Sequence, residues 1–137
     1  VSSSRSFTAR PESVSTARRF VRDALGGQAP EETLEAVELL VSELASNCVR
    51  HAHSDFDVAI ELSPEQIRVS VRDSGDGSPT VRSPALTEPN GRGLSLVEAI
   101  SDSWGVTPDE RGKTVWFSIF RAGAGSGGEK RALSSKQ

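Results

Sequence analysis

Glu43 and Asn47 stand four positions apart in Ser42-Glu-Leu-Ala-Ser-Asn47, inside a long run with helical periodicity. On a helix that spacing makes their side chains neighbours on one wall. At 100° per residue the apolar stripe centres near Val41 and Cys48, with Asn47 roughly 100° and Glu43 roughly 140° from that centre. Both therefore flank the core stripe. A carboxylate beside an amide oxygen suits a hard cation that keeps several waters, together with a reaction that needs a base. Taken alone, such a pair is ordinarily a solvated helix face and decides nothing.

A second group begins at Asp73. Ile67, Val69, Val71 and Asp73 share one strand parity, which puts a carboxylate at the end of a row aimed at the core. A buried polar group left unpaired costs about 1–3 kcal/mol. Asp73 therefore needs a protein donor or the amino group of a ligand. Ser74-Gly-Asp-Gly77 follows, and its glycines permit tight turns and the close approach of a flat ring. The plain reading is an Asp-Gly turn closing the strand. A third group, Asn90-Gly-Arg-Gly-Leu94, opens a helix whose free N–H groups and dipole suit a phosphate. It is neither a P-loop nor a dinucleotide fingerprint, since no Gly-Lys-Ser/Thr follows and the third glycine is missing. A glycine-rich connection with no ligand has the same composition.

The elements that must position these groups follow from periodicity. A helix starts near Pro11-Glu12, carries Val14, Ala17, Val21 and Ala24 on one face and stops at Gly26-Gly27. A longer one starts at Pro30-Glu31-Glu32 and runs to about Ala52, with Leu34, Val37, Val41, Leu44 and Cys48 in register. The period then changes to two. Phe56, Val58, Ile60 and Leu62, a turn at Ser63-Pro-Glu65, and Ile67, Val69 and Val71 read as an antiparallel hairpin. Gly91 to Ile100 is helical again, and Trp104 to Val106 and Lys113 to Phe120 are strands around a turn at Pro108 to Gly112. With an extra edge strand at Ser6 to Ala9, the order predicts an α+β fold: a two-layer sandwich whose mixed, mostly antiparallel sheet has helices on one face. Residues 1–5 are expected to be disordered, 6–121 to form one domain and 122–137 to be a flexible Gly/Ser-rich tail.

Composition narrows the function classes. The chain of 137 residues holds 16 Lys+Arg against 19 Asp+Glu, a formal charge of -3, which gives no broad cationic field for nucleic acid. No stretch approaches the roughly 18 apolar residues of a membrane span. A single cysteine, Cys48, makes no internal disulfide and fits inert packing in a reducing cytoplasm. His51-Ala-His53 with Asp55 nearby has metal-like types but no second ligand cluster to complete a site. Being one helical turn past Asn47, His51 is placed to shape the same wall. Trp104 and Trp116 fall in strands and read as core or sheet-face residues.

The order of the three groups carries more than any one of them. Glu-x-x-x-Asn on a helix, Asp-x-Gly-x-Gly after a strand and Gly-x-Gly-Leu opening a helix together resemble the GHKL, or histidine-kinase-like, ATPase superfamily over roughly Pro30 to Phe120. The wording from Ser42 to Ala52 is similar to anti-sigma-factor serine kinases of the RsbW/SpoIIAB type and their actinobacterial relatives. The resemblance implies ATP and Mg²⁺ as cofactors, with Asn47 on the metal and Glu43 as general base. It implies that Asp73 takes the adenine amino group in a pocket shaped by Gly75 and Gly77, and that His51 helps form the nucleotide wall. Gly91, Arg92, Gly93 and Leu94 would wrap the phosphates, and Thr114 would support the adenine side. Ser78 to Asn90 would be the lid, here short and stiffened by Pro79, Pro84 and Pro89.

For function, the resemblance implies a cytoplasmic regulator that binds ATP/ADP, clamps a sigma factor and phosphorylates a serine on a small STAS-type anti-anti-sigma protein. Dimerisation through the sheet is common in such relatives. A different class of function fits the same residues: a non-catalytic module in which ATP only shapes a partner-docking surface.

Overall fold

The computed structural model describes residues 2–73, 92–110 and 112–121. Five strands form one sheet in the order β1-β2-β3-β5-β4, and every neighbouring pair is antiparallel. The strands are β1 (Ser2–Phe7), β2 (Phe56–Leu62), β3 (Gln66–Asp73), β4 (Ser103–Pro108) and β5 (Lys113–Phe120); the helices are α1 (Glu12–Leu25), α2 (Glu31–Asn47) and α3 (Arg92–Ile100). The α+β two-layer expectation holds, with no parallel pair among the described strands.

Burial alternates along β2 and β3, so one face of the sheet packs on the helices. Phe56, Val58, Val69 and Phe117 supply that face, and Val21, Val37, Val41 and Val97 meet it from the helices. Burying one such side chain is worth about 1.5–3 kcal/mol. Helix α2 packs against both α1 and α3, which makes it the central rod of the helical layer. Its buried positions Leu34, Val37, Val41 and Leu44 are the expected stripe, widened by Leu40 and Ala45. In α1 the buried face is Ser13, Ala17, Val21 and Leu25, slightly rotated from the expected one. Arg22 ties α1 to α2 through Glu31 at 2.8 Å and through Glu38. Among the described residues no helix is long and apolar enough to cross a membrane.

Two boundaries differ from expectation. Residues 2–5, expected to be disordered, belong to β1, whose ladder with β2 runs from Ser2 opposite Glu61 to Phe7 opposite Phe56. The strand is serine-rich and has little apolar alternation to reveal it. Its order comes from the backbone edge that β2 offers, and its end is fixed by Phe7 stacked on Phe56 at 5.3 Å and Ala9 N–H donating to Asp55 Oδ1 at 2.9 Å. The second difference is that the long helix does not stay α-helical to Ala52. Cys48–Ala52 is a π turn, and it closes on His53 in the left-handed region at φ 51°.

Candidate functional site

The strand parity of β3 leads to the site. Ile67, Val69, Val71 and Asp73 are all buried, so the inward row ends on a carboxylate as expected. Asp73 divides its two oxygens. Oδ2 accepts a hydrogen bond from Lys113 Nζ at 3.2 Å, with side-chain exposures of 5% for Asp73 and 14% for Lys113. Oδ1 is buried without a hydrogen-bond partner among the described residues. Gly112 closes against the same carboxylate: a Cβ there would stand 2.1 Å from Asp73 Oδ1 and 2.6 Å from the Asp73 carbonyl oxygen. Only glycine fits.

The end of α2 reaches this corner. Burial pushes the Cys48 thiol well above its ordinary pKa, Asp73 adds to the push and Lys113 opposes it, so Cys48 lies within electrostatic reach of both. Asn47, the preceding residue, has a buried Nδ2 with no hydrogen-bond partner among the described residues. An orphaned buried polar atom costs about 1–3 kcal/mol and calls for an explanation such as an absent ligand or ion. Among the described residues the buried side-chain orphans are Asn47 Nδ2 and Asp73 Oδ1, both on residues the sequence had singled out. Rotation of the Asn47 carboxamide exchanges its nitrogen for its oxygen, so the same position can offer a lone pair to a cation. Glu43 is half-buried one turn earlier on α2, and none of the ion pairs among the described residues uses it.

Other expected positions are placed differently. Thr114 sits opposite Arg72 in the β3–β5 ladder, hence on the face away from Asp73. Parity therefore sets Thr114 apart from the Asp73 face, and Lys113 is the β5 residue that meets Asp73. This lysine was missed although the signal was present, because Lys113, Val115 and Phe117 form the inward row of β5. His51 falls within the π turn, where the α-helical spacing that put it one turn past Asn47 does not apply. Arg92, Gly93 and Leu94 begin α3. Leu94 packs partly against the core, which leaves its backbone rather than its side chain for an anion. Gly75, Gly77, the span Ser78 to Asn90 and Gly91 lie outside the described residues.

Among the described residues the arrangement is a buried acceptor beside a partly buried ammonium, a carboxamide with an unmatched end, and a carboxylate in no ion pair on the same helix. It can hold a flat heteroaromatic edge and a hard cation, and it can take a proton.

The family model for the histidine kinase-like ATPase domain matches residues 7–119. Among solved structures, that of the RsbU and RsbW domains of Rv1364c from Mycobacterium tuberculosis aligns with a TM-score of 0.68 and 20% identity over 87% of this chain. The chain spans 32% of the length of that protein, and the likeness speaks to the fold. No curated protein matches the chain.

Proposed function

Because the chain belongs to the histidine kinase-like ATPase domain family, whose domains bind ATP with Mg²⁺, we propose that it is an ATP-binding regulator that transfers phosphate to a protein serine or threonine. The observation that carries the reading is the pair of buried orphans, Asp73 Oδ1 and Asn47 Nδ2, which a nucleotide and its cation would satisfy. In this reading Asp73 Oδ1 accepts from the adenine amino group, and Asn47 turns its carboxamide oxygen to the cation. Bound Mg-ATP supplies the transferable phosphoryl group and neutralises its charge. Glu43, on the same helix as Asn47, orients the acceptor hydroxyl and takes its proton. The first backbone N–H groups of α3 lack intrahelical acceptors and suit phosphate oxygens. Gly75, Gly77, Gly91 and Arg92 complete the nucleotide contacts.

As partners we propose a sigma factor that is sequestered and a STAS-type anti-anti-sigma protein that receives the phosphate, a reading supported by the Ser42 to Ala52 resemblance and compatible with the fold likeness to an RsbW domain. The test is to incubate the chain with Mg-ATP and candidate antagonist proteins and to look for phosphoserine or phosphothreonine. Transfer by the wild type that is lost in Glu43→Ala supports the kinase. Equal absence of transfer in both, with ATP-dependent partner binding retained, leaves the non-catalytic docking module.

A further inference from the structure

The Asp73–Lys113 pair does more than a lone aspartate can. Both side chains are nearly buried, yet among the described residues the pair leaves one acceptor and two donors unspent. Among the described residues Asp73 Oδ1 has no partner, and the acceptor for the Lys113 ammonium is Asp73 Oδ2. An ammonium carries three N–H donors, so most of its capacity remains. The strands hold the two groups side by side. Asp73 ends the inward row of β3, Lys113 begins the inward row of β5, and Gly112 fixes the turn against the Asp73 backbone.

An acceptor next to a donor complements an amino group beside an aromatic ring nitrogen, a pattern adenine carries at N1 and at N7, between which the experiment below decides. Adenine presents its 6-amino donor beside the N1 acceptor. A 6-oxo purine presents the reverse, with a carbonyl oxygen beside an N1–H. We propose that Lys113 is a specificity-determining residue that donates directly to N1 of the adenine whose 6-amino group donates to Asp73 Oδ1. The inference rests on the ATP reading given above and assigns this chain a second, charged contact to the base. A 6-oxo purine then meets two mismatches, its carbonyl against the carboxylate and its N–H against the ammonium. Satisfying both buried groups with one ring edge also rejects an analogue that lacks either partner, because the protein group is then left unpaired.

The experiment compares ATP with 1-deaza-ATP, which keeps the 6-amino group and replaces N1 by C–H. Calorimetry in Mg²⁺ measures both ligands on the wild-type chain and on Lys113→Ala, with folding of the variant checked by circular dichroism. The wild type is expected to bind 1-deaza-ATP about tenfold or more weakly than ATP, the scale of a hydrogen bond to a charged group. In Lys113→Ala the two ligands become equal, with ATP falling to the level of the analogue. Equal binding of the two ligands by the wild type overturns the proposal, as does tighter ATP binding by Lys113→Ala, which would make the lysine a competitor for Asp73. Should the alanine variant not fold, Lys113→Met, which keeps the aliphatic length and removes the donors, takes its place in the same comparison. Failure of the wild type to bind either ligand overturns the ATP reading itself and this inference with it.

Discussion

Gly112 and Asp73 touch through backbone as well as side chain: a Cβ on Gly112 would lie 2.6 Å from the Asp73 carbonyl oxygen and 2.1 Å from its Oδ1. The carboxylate could swing aside, but the carbonyl belongs to the β3 backbone and cannot. Gly112→Ala therefore has to open the β3–β5 end at a cost of about 1–3 kcal/mol. Urea denaturation should register that loss together with a fall in ATP affinity, whereas unchanged stability and affinity would mean that the turn is not held against Asp73.

Asp73→Asn keeps the volume and removes the charge. The amide oxygen still accepts from Lys113, so the expected destabilisation is about 1–3 kcal/mol, short of the loss when a buried charge is abandoned outright. The nucleotide effect is larger in kind, because the amide can present a donor to the adenine donor. ATP at 100 times its Kd stabilises a protein by about 2.7 kcal/mol. The wild type should show that rise in melting temperature, and Asp73→Asn should show none.

Asn47→Ala is expected to separate stability from function. It deletes a buried amide whose Nδ2 has no partner among the described residues and puts the best helix former near the end of α2. Stability without ligand should be unchanged or higher by up to about 1–3 kcal/mol. The increment that Mg²⁺ adds to ATP affinity should disappear. Glu43→Ala, by contrast, should leave ATP affinity nearly intact while phosphoryl transfer drops about 10²–10⁴-fold. A loss of ATP binding in Glu43→Ala would place that carboxylate on the ligand rather than on the acceptor hydroxyl.

Much of this site was legible because strand parity is a local property. The alternation of Ile67, Val69 and Val71 puts Asp73 inward whatever surrounds it, and the α2 stripe follows equally from spacing. What depended on pairing was not legible. The first part of β1, Ser2 to Arg5, reads as a serine-rich tail and only Ser6 onward as an edge strand, because the order of those residues comes from the edge of β2. The π turn at Cys48–Ala52 has no period that marks it in a short run. The assignment of Thr114 came from motif resemblance, while the rule that located Asp73 assigns Lys113 to the inward row of β5.

The open sheet face offers an independent check on register. Gly105 stands opposite Trp116, a Cβ on it would lie 2.7 Å from the indole Nε1, and Arg68 stacks over the same ring at 4.1 Å. The obstacle is a side chain that can move, so Gly105→Ala should cost only about 1 kcal/mol through the displaced ring and the weakened cation–π contact. In a Trp104→Phe background the remaining emission comes from Trp116. A shift of that emission on Gly105→Ala is expected, and an unshifted spectrum would contradict the Gly105–Trp116 packing.

Cys48 makes stability depend on alkaline pH. Burial raises its thiol pKa in the folded chain, with Asp73 adding to the effect, whereas an unfolded thiol ionises near pH 8.5. Below about pH 8.5 the thiol is protonated in both states and its contribution is fully present. Above that, the unfolded chain releases the proton and the folded chain keeps it. The unfolded state then binds fewer protons, and stability falls with rising pH by up to about 1.4 kcal/mol per unit from this one group. Cys48→Ala also creates a small cavity, so the comparison that matters is slope rather than level. Urea denaturation from pH 7 to pH 10 should show a steeper alkaline decline in the wild type than in Cys48→Ala, and parallel curves would mean that the thiol ionises equally well in the folded protein.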